Sequence, residues 1–200
     1  AGGRVRSERA GTSGPLAITR TMRTRSLPAD DPSTCDKVNG ACPLFRRSAL
    51  DQIVELHGGP YDPSYAMYGE DIDLALTLAR YGWAYHYQPT AGATHVRSFG
   101  SAHRLIDRRG PLRVSTLVNR HRNIVRHAAH WVLTDLAALG QDVGFAMVAI
   151  TKRDPRGARD VARAWVEHVR TVRHDLERRR RLPPRLPSGR TRFATKTVER

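Results

Sequence analysis

The chain has 200 residues, with 34 basic side chains against 19 acidic ones and a formal net charge of +15, a length sufficient for one domain with a core. All but three of the basic residues are arginine, lysine occurring only at Lys37, Lys152 and Lys196. The excess permits an anionic partner, but no helix-turn-helix, zinc-finger or RNP pattern accompanies it and aromatics make up 6% of the chain, which excludes a base-stacking surface and leaves no specific nucleic-acid partner expected.

Residues 1–35 are rich in Gly, Ser, Thr and Arg and read as a loop-rich remnant or a severed edge. Cys35 and Cys42 have no Cys or His partner at zinc-site spacing and read as a reduced cytosolic pair. Residues 38–45 predict a strand interrupted by Gly40 and Pro43. Ser48 can cap a helix running to about Leu56, and Gly58-Gly59 ends it. A loop rich in Tyr and Pro follows over 60–67.

Residues 68–83 read YGEDIDLALTLARYGW, a short amphipathic helix with Glu70, Asp71 and Asp73 at its mouth and Gly82 as its stop. Carboxylates suit a helix start, where unpaired N–H groups and the macrodipole stabilise negative charge, and a rigid helix start is a good place to hold a base. A strand over 83–87, a turn at Gln88-Pro89 and a second extended piece ending at His95 are expected next.

From about Leu112 to Leu139 apolar residues recur at helical spacing, with Arg120, Arg122, Arg126, His127 and His130 on a basic partner face. Residues 160–178 repeat the theme, with Val161, Ala164, Trp165, His168 and Val172 on one side. Beyond Arg178 the Arg- and Pro-rich run has too little apolar surface to order itself. No apolar signal core opens the chain, and 131–150, the best candidate for a membrane span, is interrupted by Asp135, Gln141 and Asp142.

The order VNGACPLFRRSAL, GGPYDPSYAMYGED and GWAYHYQPTAGATHVRSFGS resembles the carboxyl half of family 2 nucleotide-sugar glycosyltransferases. It is most similar to the rhamnosyl- and galactofuranosyl-transferase type and to the galactosyltransferase carboxyl-terminal domain. The resemblance is strongest over 36–101 and implies an α/β fold, the carboxyl half of a GT-A-type, Rossmann-like domain followed by helices. It divides the chain into a remnant (1–35), an acceptor-side half with the catalytic base (36–105), amphipathic basic helices (106–178) and a disordered tail (179–200).

The same resemblance implies the chemistry. A nucleotide-sugar donor and a glycan or lipid-linked acceptor meet at Asp71, the general base, with Glu70 binding or orienting the acceptor. Asp73 lies two residues on, turned away from Asp71, and is expected to contact backbone or Arg. His95 matches a metal ligand that serves beside an Asp-x-Asp motif, holding Mn²⁺ or Mg²⁺ against the diphosphate. Gly40 and Ala41 allow a close backbone approach to substrate or form a tight bend. Tyr68 and Trp83 can stack on a sugar, with Trp83 equally suited to anchoring its strand. Arg46 and Arg47 can reach a phosphate or stay solvated. Arg122-Asn123 matches a pair on the family's following helix, whose basic face can meet a lipid-linked acceptor or a membrane.

Departures from the pattern are part of the reading. No apolar strand ending in Asp-x-Asp is present, since Asp30-Asp31 lies between Ala29 and Pro32. The donor-binding half is therefore expected to be missing and the isolated chain to turn over poorly or not at all. Thr77 stands where the family usually has Arg, Pro63 replaces a common acidic residue, and His95-Val96-Arg97 replaces a small, polar sequence. A cytoplasmic protein, with a peripheral place on the inner membrane face, is expected. The alternative is a non-catalytic basic module that binds an anionic membrane or a partner chain.

Overall fold

A computed structural model describes residues 1–7, 11–28, 34–95, 105 and 110–185. The fold is α/β. Five short strands, β1 (Gly2–Ser7), β2 (Gly11–Ser13), β3 (Leu16–Ile18), β4 (Thr24–Ser26) and β5 (Thr34–Cys35), precede two helices, α1 (Arg47–His57) and α2 (Glu70–Arg80). A long strand, β6 (Tyr85–Thr94), follows, and then three helices, α3 (Pro111–His127), α4 (Trp131–Thr151) and α5 (Pro155–Arg181).

The main sheet has the order β2-β1-β6-β5, with β1 and β6 parallel and the outer pairs antiparallel. Strands β3 and β4 form a separate hairpin. Residues 1–35, read as loop-rich, thus supply the inner strand β1 as well as both strands of that hairpin. Their Gly and Arg content hid this, because β1 is specified by its partner β6 rather than by apolar alternation. The predicted turn at Gln88-Pro89 is instead a register shift inside one continuous β6: Gly3 pairs with Gln88, and Arg4 with Gly92. Proline has no N–H to give a ladder, so the irregularity falls where it costs least.

Residues 38–45 do not form the expected strand. Lys37 and Pro43 make isolated bridges to Leu16 and Gly2, and a turn lies between. Helix α1 covers its predicted span, but its N-cap is Arg46 with no side-chain cap bond and Ser48 lies inside the first turn; it ends at Gly58, whose left-handed φ of 78° accommodates the C-cap. The core beneath α1 and α2 is apolar: Val38, Ala49, Ile53, Leu74, Ala75, Leu78 and Tyr85 are buried together.

The helical layer differs from its forecast in two ways. The stretch 112–139 is two helices, broken at Ala128, whose backbone is extended. More consequentially, the face carrying Arg120, Arg122, Arg126 and His127 is buried, and only His130 of the five named residues is exposed. These side chains have acidic partners on neighbouring elements: Arg120 with Asp142, Arg126 with Asp62 and Asp175, His127 with Asp73. Helix α5 continues three residues past Arg178, and the Pro183 carbonyl accepts from Arg80 Nη1 at 2.9 Å. The remainder of the predicted disordered tail, 186–200, lies outside the described residues.

Candidate active site

The site is built at the start of α2. No side chain caps this helix; its N-cap, Gly69, has φ 89° and its first turn holds Glu70, Asp71 and Asp73. Tyr68 immediately before it also has a positive φ of 64°, an uncommon conformation for a non-glycine residue that another element must hold. Helix α3 does so. Asn119 Nδ2 donates to the carbonyls of Met67 (2.9 Å) and Tyr68 (2.6 Å), and Asn123 Nδ2 donates to that of Gly69 (3.0 Å). A Cβ on Gly69 would come within 3.1 Å of Asn119 Cβ, so glycine is needed for space as well as for φ.

Asp71 and Asp73 leave this turn in opposite directions, as the helical spacing predicts. Asp73 is buried and accepts from His127 Nε2 at 2.8 Å and Tyr65 Oη at 3.3 Å, with Arg126 Nη1 at 3.6 Å. Burial alone would raise its carboxyl, but the His127 bond and the Arg126 charge outweigh it and hold the group below the usual carboxylate range. His127 Nδ1 has no partner among the described residues, which fits a neutral ring donating through Nε2. Thr77 is itself buried, and the arginine that reaches this carboxylate, Arg126, comes from α3.

Asp71 faces outward. Its side chain is 29% exposed and pairs with the ammonium of Lys37, which is 5% exposed. On one side it lines a cavity of about 330 Å³ together with Arg23, Lys37, Tyr68, Arg120 and Asn123, and it is the sole carboxylate on that wall among the described residues. On the other side it meets Gly40, where a Cβ would lie 2.9 Å from Asp71 Oδ2. Gly40 therefore makes room for this carboxylate itself. Ala41 is exposed, and its N–H donates to Asn39 Oδ1 at 2.9 Å in the same turn.

Glu70 is half-buried, and its Oε2 has no hydrogen-bond partner among the described residues. Burial first, then repulsion from Asp71, raises its carboxyl above the ordinary value against the opposing pull of a backbone bond and Lys37. Adjacent residues of one helix start thus hold two carboxylates in different environments, one solvated and ion-paired, one desolvated.

The structure brings Tyr68 to the cavity and leaves Trp83 away from it. Trp83 Nε1 donates to Gln52 Oε1 at 2.8 Å, and the ring packs on the core beneath α1 and α2, as an anchor would. Arg46 is exposed at the start of α1, and Arg47 pairs with Asp51 at 2.7 Å on the solvent side, so neither lines the cavity. Arg122 turns inward to the Ser64 carbonyl.

His95 ends β6, exposed, its N–H donating to the Arg6 carbonyl at 2.8 Å. Among the described residues it joins no group of three His, Cys, Asp or Glu that could hold an ion. These residues do not by themselves build a metal centre at His95. Arg97 and the rest of 96–104 lie outside the described residues.

Lys37 and Asn119 were not singled out as site residues from sequence, and Arg120 was read only as part of a basic partner face. The available signals were faint: one of only three lysines, and two asparagines four apart on one helical face.

Comparison with known proteins gives one consistent relationship. Over 105 residues, 51% of the chain, the sequence is 32% identical to N-acetylglucosaminyl-diphospho-decaprenol L-rhamnosyltransferase from two strains of Mycobacterium tuberculosis. The match covers 33% of those proteins, so it spans about a third of their length. It supports a glycosyltransferase relationship. No family model matches the chain, and no solved structure matches it.

Proposed function

We propose that this chain is the acceptor-side part of a glycosyltransferase of the family 2, GT-A type, with Asp71 as the general base. One observation carries the proposal: among the described residues, the acidic residue that the resemblance selects is the sole carboxylate on the wall of the cavity at the helix start. In the reaction, the acceptor hydroxyl gives its proton to Asp71 as its oxygen bonds to the anomeric carbon. The bond from that carbon to the nucleoside diphosphate breaks, and the diphosphate leaves. A positioned base is typically worth about 10²–10⁴ in rate.

Lys37 compensates the Asp71 charge before the proton arrives and fixes the carboxylate against the turn at Gly40. Glu70, desolvated beside it, orients the acceptor. Arg23, exposed on the same wall, supplies positive charge suited to an acceptor that carries a diphosphate. Taken with the name of the curated relatives, this favours an L-rhamnosyl nucleotide as donor and a lipid-linked diphospho-sugar as acceptor. His95 would ligate a divalent ion only beside carboxylates that the described residues do not contribute. The donor-binding part is likewise proposed to lie outside these residues.

The test is Asp71→Asn in a transferase that includes a donor-binding part. Turnover should fall by about a hundredfold or more while donor binding, followed by calorimetry, changes little. Equal damage to donor binding and turnover would remove Asp71 from the role of base.

A further inference from the structure

The exposed surface of the helical layer is unusual in a different way from its interior. Helix α4 has 21 residues and only two charged ones, Asp135 and Asp142, and both are buried. Asp135 bonds to His121 (2.6 Å) and His168 (2.9 Å), and Asp142 to Arg120 (2.7 Å) and His121 (2.8 Å). The outward face carries Val132, Leu133, Leu136, Val143, Met147, Val148 and Ile150, each between 46% and 69% exposed. A contiguous apolar face of this extent calls for a cover.

Helix α5 shows what kind of cover. Its Trp165 and His168 turn toward α4, bonding Asp142 and Asp135. At about 100° per residue, Val169 and Val166 come next around the helix, 66% and 51% exposed, and extend the apolar surface. Beyond them lies a ridge of exposed arginines: Arg156, Arg159, Arg163, Arg170 and Arg173. Glu167 and Glu177 are the acids nearby, 3.9 and 3.5 Å from Arg170 and Arg173, and both pairs are solvated and therefore weak. An apolar helix face flanked by arginines is the pattern of a helix lying in the plane of an anionic bilayer surface.

We infer that the α4 face and the α5 arginine ridge together dock this protein on an anionic membrane, with α4 parallel to the surface. The inference stands independently of the transferase reading. By length and apolar content α4 could cross a bilayer. However, both of its carboxylates are bonded to residues of α3 and α5, so one side of the helix is committed to the protein. A second copy of the chain fits less well, because it would cover the apolar face without offering the arginine ridge an anionic surface. A nucleic acid would leave the hydrocarbon face uncovered.

The experiment is flotation of the full chain with vesicles of phosphatidylcholine alone or mixed with phosphatidylglycerol. Binding is expected to the mixed vesicles only and to weaken with salt. The double variant Leu133→Glu/Met147→Glu should lower it by about tenfold or more. Both positions face solvent (69% and 58% exposed), so far-UV circular dichroism should be unchanged. Arg163→Glu/Arg170→Glu should also weaken binding, whereas Leu44→Glu, 73% exposed but off these helices, should not. Equal binding to neutral vesicles, or binding that the α4 variant leaves intact, would overturn the inference. So would sedimentation showing a dimer that the α4 variant dissociates, together with no flotation.

Discussion

Beneath α1 and α2 the interior is hydrocarbon, centred on Ile53, Leu74 and Leu78. Between α3 and its neighbours it is largely ionic: Arg113, Arg120, His121, Arg126 and His127 are all under 8% exposed, and each meets at least one aspartate. The two interiors tolerate error differently. A hydrocarbon core loses stability roughly in proportion to the volume removed, whereas a buried ion network fails sharply when one partner goes, because the others stay charged and desolvated. The ionic region is also the one that reaches into the site, through Asn119 and Asn123 on the same helix.

Removing the centre of that network should cost most. Arg126 bonds Asp62 (3.0 Å) and Asp175 (2.6 Å), and Arg126→Met leaves both carboxylates short of a partner. A loss of about 3–5 kcal/mol is expected in urea unfolding. A loss under about 1 kcal/mol would mean that the two interiors do not differ as described. Ile53→Ala in the hydrocarbon core, at a site with 0% exposure, should cost about 2–5 kcal/mol, graded with cavity size, and Ile53→Val about 1 kcal/mol. A collapse on Ile53→Val would erase the contrast from the other side.

Titration sharpens the comparison further. Both nitrogens of His121 contact carboxylates, which is satisfied by two donated protons, and so by the imidazolium. Burial pulls this ring down, but Asp135 and Asp142 outweigh it, and its folded value lies above 6.5. The stability it contributes is complete below 6.5 and is lost as pH rises through the folded value. Asp135 runs the opposite way: burial pushes it up, but His121 and His168 bring it down to about 2 from 3.8. Its contribution is present above 3.8 and is lost as pH falls toward about 2. His127, pulled below 6.5 by burial despite Asp73, should separate from His121 in an NMR titration. A His121 that titrates below 6.5 would show that burial wins there after all. The smallest effect is expected at the edge of the hydrocarbon core. Trp83→Phe removes the bond to Gln52 and should cost about 1 kcal/mol in unfolding while leaving acceptor binding unchanged. Lost acceptor binding would return Trp83 to the sugar site.

What was legible in the sequence follows this same division. Helices α1 and α2 show apolar periodicity bounded by glycines, so local pattern and final structure agree. The side chains of Asp71 and Asp73 diverge as expected because helix geometry alone sends them apart. Helix α3 misled because arginines on a helix are ordinarily solvated; Arg126 is buried because Asp62 and Asp175 stand opposite it, 64 residues earlier and 49 later. Lys37 was silent for a similar reason, its partner Asp71 being 34 residues away. Strand β1 was missed because a parallel partner at β6 lies most of a hundred residues off and leaves no local trace.

The grip of Asn119 and Asn123 on the turn before α2 has a mechanical consequence. Three successive carbonyls, those of Met67, Tyr68 and Gly69, are tethered to one helix, so the carboxylate they precede rides on that helix like a tool on a carriage. Sliding α3 by a single residue, about 1.5 Å, exceeds the roughly 1 Å displacement at which reacting groups can forfeit a hundredfold in rate. On the proposed reading, the register of α3 against the start of α2 is itself a setting of the catalyst, and substitutions far from the cavity that shift it should be felt there.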